Sequence, residues 1–222
     1  KGAQLDQNFF ILVVFSSIVA GIGLLENNIA VIIGAMVIAP LLGPNIAFAL
    51  GSSLGEKKLM WQSLKAIASG IILAVLVAII IGFIWPLDVE TQEVLMRTEA
   101  NYAGTAIALA SGAAAALSLV TGVSGVLIGV MVAVALMPPA VTIGLMLSTG
   151  NMPLALGATL LLAVNIVCIN LSAKLVFLIK GIQPRTWLEA RKAKQSQKLY
   201  LIIWLILLTT LASIIYIRHN TF

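Results

Sequence analysis

Long, almost purely apolar stretches follow one another along this chain, separated by short polar breaks, at about 9–25, 28–54, 59–85, 102–121, 123–149, 153–179 and 199–217. Each is long enough for a helix rising 1.5 Å per residue to cross a hydrocarbon core of about 30 Å. Where such a segment faces lipid its backbone finds no water to bond, so it must close its own hydrogen bonds as a helix. The pattern therefore predicts an all-α polytopic membrane bundle of about seven spans. Between Ala100 and Ala173 there is no Asp, Glu, Lys or Arg, and a water-soluble fold could not hide a stretch of that length.

The second and fifth stretches carry helix breakers near their middle, Pro40-Leu41-Leu42-Gly43-Pro44 in one and Pro138-Pro139 in the other. Proline lacks an N–H and clashes with the preceding turn, so each stretch divides into two half-helices or bends at a kink. The two stretches belong to a duplication. Shifted by 95 positions, the chain sets Ile33-Gly34-Ala35-Met36-Val37 on Ile128-Gly129-Val130-Met131-Val132, and Pro44 on Pro139. From Ser16 to Leu59 the register runs without a gap, with roughly 14 identities in about 44 pairs, Gly and Ser among them.

Three spans per copy is an odd number, so the second copy enters the membrane upside down. The expected organisation is a 3+3 inverted repeat, about 9–85 and about 102–180, then a basic connector at 181–198 and one appended helix at 199–217. The chain opens at Lys1 without a Met and starts its first span within about ten residues, as expected of a fragment of a longer protein.

Composition agrees with the pattern: 61% of residues are apolar and 9% charged, mean hydropathy is +1.12, and an ordinary soluble domain carries about 25% charge. The pI near 9.6 does not point to nucleic acid, because the cations sit in loops and mark topology. Lys57, Lys58 and Lys65 against Glu56 give net +2 between spans two and three. Lys180, Arg185, Arg191, Lys192, Lys194 and Lys198 against Glu189 give net +5 between spans six and seven. Both segments are expected in the cytoplasm. Asp88, Glu90, Glu93 and Glu99 against Arg97 give net −3 between spans three and four, which places that segment outside and the N-terminus inside. The run from Pro184 to Lys198 is either a short interfacial helix or a plain connector.

Facing repeats bring equivalent elements together at mid-depth. If Pro44 and Pro139 open half-helices, the N–H groups after them on Asn45, Ile46, Ala140, Val141 and Thr142 point into the gap and favour an anionic group or a carbonyl oxygen. The binding candidates are Pro40, Gly43, Pro44, Asn45, Pro138, Pro139, Thr142 and Asn165, where Asn165 either lines the cavity or bonds a neighbouring helix. Lys174, about one turn from the cytoplasmic end of span six, is expected to snorkel. Glu26, in the Glu26-Asn27-Asn28 hairpin, is either a solvated turn residue or a titrating carboxylate that couples transport to protons. Ala30-x-x-x-Gly34 and Gly125-x-x-x-Gly129 predict packing seams, within the protomer or between copies in a homo-oligomer. The single Cys168 excludes an internal disulfide, and no catalytic constellation, metal cluster or phosphate loop occurs, so neither an enzyme nor a cofactor is expected.

The run from Asn28 to Pro44, Asn28-Ile29-Ala30-Val31-Ile32-Ile33-Gly34-Ala35-Met36-Val37-Ile38-Ala39-Pro40-Leu41-Leu42-Gly43-Pro44, resembles the signature of the uncharacterised hydrophobic-domain proteins called domain of unknown function 389. Arg97-Thr98, Ala133-Val134-Ala135-Leu136-Met137-Pro138-Pro139 and Asn165-Ile166-Val167 are similar to that family too. The resemblance implies a multi-pass protein of the cell (inner) membrane, often preceded by a cytosolic domain, and no settled activity. From the residues the expected function is a transporter or facilitator that moves a small polar or anionic solute between the broken spans. The alternatives are a membrane anchor or sensor for an N-terminal domain, and a channel.

Overall fold

The computed structural model describes residues 5–85, 91–122, 126–182 and 200–216, with the side chains of 126–134 left aside. Those residues are helical, with no strand among them. In chain order they form α1 (Gln7–Leu25), α2 (Ile29–Ile38), α3 (Leu42–Leu54), α4 (Lys57–Ile84), the single turn α5 (Gln92–Leu95), α6 (Tyr102–Thr121), α7 (Val126–Ser148) and α8 (Met152–Ile179), and lastly α9 (Tyr200–Tyr216). Four of them, α1, α4, α6 and α8, are long and apolar enough to cross a membrane, and the bent pair α2–α3 makes a fifth. The basic connector, Asp88, Glu90 and the C-terminal Arg218-His219 lie outside the described residues.

The duplication extends to the helix ends. Helices α4 and α8 begin and end 95 residues apart, and α1 and α6 begin 95 apart. Their starts are set alike: Asp6 Oδ1 accepts from the Phe9 N–H at 2.8 Å, and Asn101 Oδ1 from the Gly104 N–H at 2.7 Å, as N-cap side chains do. Left-handed residues close equivalent helices, Asn27 and Gly122 after α1 and α6, Gly55 and Gly150 after α3 and α7. Packing crosses between copies, α4 lying against α7 and α8 against α3, with α7 at the centre of the bundle.

The two proline sites differ. The second span breaks where the sequence places the break: Ala39, ahead of Pro40, is extended at φ −62° and ψ 123°, the conformation a following proline imposes, and α2 and α3 meet at 55°. Helix α7 does not break. It runs from Val126 to Ser148 through Pro138 and Pro139, which corrects the expected pair of half-helices. Pro139 leaves the Ala135 carbonyl without its helical donor, and Asn165 Nδ2 of α8 supplies one at 2.8 Å. In the first copy the position equivalent to Asn165 is Gly70, which has no side chain to donate; the space it leaves is taken by Leu41 and Phe9.

Close packing within the protomer rests on Gly112 and Gly144. Gly112 of α6 lies against the backbone of Ile169 in α8, and Gly144 of α7 against the Val75 carbonyl in α4; small residues of this kind let spans approach where hydrophobicity provides no drive. Gly34 has nothing within 4 Å of a built Cβ, and Ala30 beside it on the same face is exposed, so that seam is not formed within the protomer. Its counterpart at Gly125 and Gly129 lies outside the described side chains. The outward row Ile72, Leu76, Ile80 and Phe83 of α4 is more than half exposed, as a lipid-facing stripe would be.

Candidate functional site

Polar groups buried among these apolar helices gather where α3 leaves the break and crosses α8. Asn45, in the first turn of α3, is fully buried. Its Nδ2 donates to the Leu41 carbonyl at 3.0 Å, and its Oδ1 accepts from Asn170 Nδ2 of α8 at 3.2 Å. Asn170 Nδ2 also donates to the Ile166 carbonyl at 2.8 Å. The amide pair ties the broken span of the first copy to the last span of the second. Asn170 Oδ1 is left without a partner, as are Asn165 Oδ1 and Thr142 Oγ1 of α7. Most buried polar atoms are satisfied, so the orphan acceptor of Asn170 beside the break is one that a polar guest would complete.

Lys174 lies four residues after Asn170, on the same face of α8. It does not snorkel, which corrects the sequence expectation: its side chain is 0% exposed. Nζ has no hydrogen-bond partner and stands 5.2 Å from the centroid of the Tyr200 ring. Helix α9 provides this cover, held to α3 by the edge-on contact of Trp204 with Phe48 at 6.0 Å. The sequence carries one sign of this, the four-residue spacing of Asn170 and Lys174; the cover from Tyr200 comes through a chain segment remote from both.

The other candidates divide. Pro40 and Gly43 line the break half-buried, and Pro44 is buried in the first turn of α3. Pro44 is the third helical residue, not the first, because α3 starts at Leu42; the Asn45 N–H is already used, donating to the Leu41 carbonyl at 3.4 Å. Pro138 and Pro139 lie inside continuous α7, so the N–H groups that follow them open no gap. Asn165 bonds a neighbouring helix. Among the described residues no cluster of three or more His, Cys, Asp or Glu could hold a metal.

Glu26 is exposed as the C-cap of α1, apart from the amide pair. Among the described residues the buried carboxylate is Glu93. Arg97 Nη1 lies 2.5 Å from Glu93 Oε2, and the same nitrogen donates to the Glu93 carbonyl at 2.6 Å. That turn docks on the α1–α2 hairpin, where the Glu93 N–H donates to Asn27 Oδ1 at 2.9 Å and Thr91 Oγ1 to the Leu24 carbonyl at 2.7 Å. Asn27 adopts φ 54° to close this hairpin, a conformation Asn tolerates better than other side chains.

Residues 36–171, more than half of the chain, match the family described as domain of unknown function (DUF389). An uncharacterized protein of Methanocaldococcus jannaschii is 32% identical over 205 residues, covering 92% of this chain and 64% of the relative. The chain thus spans less than two thirds of the length of that curated relative. No solved structure matches it.

Proposed function

The chain belongs to the family of domain of unknown function 389, whose name assigns no activity, and from its residues we propose that it is a membrane transporter or facilitator for a small polar or anionic solute. The seven spans form a 3+3 inverted repeat with α9 appended, lying in the cell membrane with the N-terminus inside. The common spacing of 95 residues between helix ends supports the repeat, and the charge difference between loops supports the inversion. The pathway runs between the copies, along the α3–α8 seam and past Thr142.

One observation carries this reading: at the break of the second span a buried Asn45 bonds Asn170 across the repeat boundary, beside polar atoms that lack partners. A helix that only anchors has no use for a 55° break with buried amides at its edge, because each unsatisfied polar group in an apolar interior costs about 1–3 kcal/mol. The break also leaves backbone groups at mid-span that tolerate exposure only next to a polar cavity.

Flux into proteoliposomes tests the proposal. Purified protein is reconstituted and offered isotope-labelled inorganic phosphate, acetate, glycine and glycerol in turn. At least one should enter saturably above protein-free vesicles, and Asn170→Leu should reduce that rate at least tenfold. No flux above background for all four, or an unchanged rate in Asn170→Leu, would count against it.

A further inference from the structure

We propose that Lys174 is the counter-charge for a small oxyanion, a carboxylate or phosphate group, held in the α3–α8 seam. The inference rests on the transport reading and narrows its solute from polar to anionic.

The Lys174 ammonium is enclosed and, among the described residues, has no acid beside it. Among the described residues one ion pair occurs, Arg97 with Glu93 in the α5 turn, and Asp6, Glu26, Glu56 and Glu99 are all exposed. The second copy itself has no acid between Ala100 and Ala173 to offer. What Lys174 does have is the face of Tyr200 at 5.2 Å, worth about 0.5–2 kcal/mol, against several kcal/mol for burying an unpaired ion. An anion in the seam closes that deficit: its oxygens take the three N–H bonds Nζ can give, in the charge-assisted form that is strongest.

The same charge repels cations, so it sets selectivity by sign. The site is also asymmetric. Shifted by 95 positions, Lys174 falls on Ile79, so the duplication supplies one such charge per chain and fits one singly charged group. A lipid headgroup does not fit, because the Lys174 side chain is 0% exposed and a headgroup remains tied to tails in the bilayer. Asn170, one turn away and bonded to Asn45, places the charge next to the break.

The test uses the full chain in a neutral detergent, with thermal unfolding and calorimetric titration against inorganic phosphate and acetate, and sodium chloride at matched ionic strength as the control. The expected result is saturable stabilisation by at least one oxyanion, weakened at least tenfold in Lys174→Gln and kept within a few-fold in Lys174→Arg. Lys174→Met, with no ion to bury, should melt no lower than the parent in anion-free buffer, which separates lost binding from lost folding. The proposal is overturned if neither oxyanion binds saturably, if Lys174→Gln binds as the parent does, or if native mass spectrometry finds an anionic lipid that departs with the Lys174 charge. Flux of glycerol without oxyanion binding would overturn this inference alone; Lys174-dependent binding without flux would overturn the transport reading alone.

Discussion

Asn165 Nδ2 donates to the Ala135 carbonyl at 2.8 Å, the carbonyl that Pro139 deprives of its helical partner. The amide replaces the missing backbone donor from 30 residues along the chain and keeps α7 continuous. Asn165→Ala should therefore destabilise the protein by about 1–3 kcal/mol, the cost of an unsatisfied buried acceptor. In a Pro139→Ala background the backbone N–H returns, and the same Asn165→Ala change should cost less than about half as much. A double-mutant cycle on unfolding measures the difference, and equal costs in both backgrounds would show that the side chain acts elsewhere.

Topology follows from the charge of the loops. With the buried Cys168 replaced by Ser, cysteines in place of the exposed Lys57 and Glu99 should react with an impermeant maleimide from opposite sides, Lys57→Cys from the cytoplasm and Glu99→Cys from outside. Labelling of both from one side would exclude the inverted repeat.

Arg97 neutralises a buried Glu93 and ties the α5 turn to itself. Removing the cation in Arg97→Ala leaves the carboxylate buried alone. The expected loss is on the order of 2 kcal/mol, between about 1 for an exposed pair and about 3–5 for a deeply buried one. Glu93→Gln combined with Arg97→Met should recover most of it, as judged by melting temperature.

Gly112 and Gly34 should respond oppositely to alanine. A methyl at Gly112 meets the Ile169 backbone, which cannot swing aside, so Gly112→Ala should cost about 1–3 kcal/mol or more. Gly34→Ala meets nothing within 4 Å and adds helix propensity of up to about 1 kcal/mol. A drop in melting temperature for Gly34→Ala, together with a smaller oligomer, would place the Ala30–Gly34 seam between copies.

Much of this was legible in the chain. The 95-residue spacing of the helix ends shows because capping and turn residues recur in register with the apolar ones, Gly55 with Gly150 and Asp6 with Asn101. The break after Ile38 shows because a proline restricts the residue before it, a local rule. Continuity of α7 through Pro138-Pro139 does not show, since the rescuing donor Asn165 is remote in sequence. The buried state of Lys174 was equally hidden: near a helix end a lysine snorkels unless something covers it, and the cover is Tyr200 of another helix. Glu26 stands out as an isolated acid, whereas Glu93, among loop charges, is the one buried among the described residues. The buried Lys174 and the buried Glu93 were hidden for one cause, that burial of a charge is decided by partners the local pattern does not contain.

The central claim, that a polar pathway passes between the two copies, has a test that requires no knowledge of the solute. Thr142 is fully buried with an unpartnered hydroxyl. In the Cys168→Ser background, Thr142→Cys should react with an impermeant thiol reagent from either face of sealed vesicles, as the two sides open in turn. If Thr142→Cys reacts from neither face in the time that Lys57→Cys reacts to completion, no pathway passes there and the transport account is wrong.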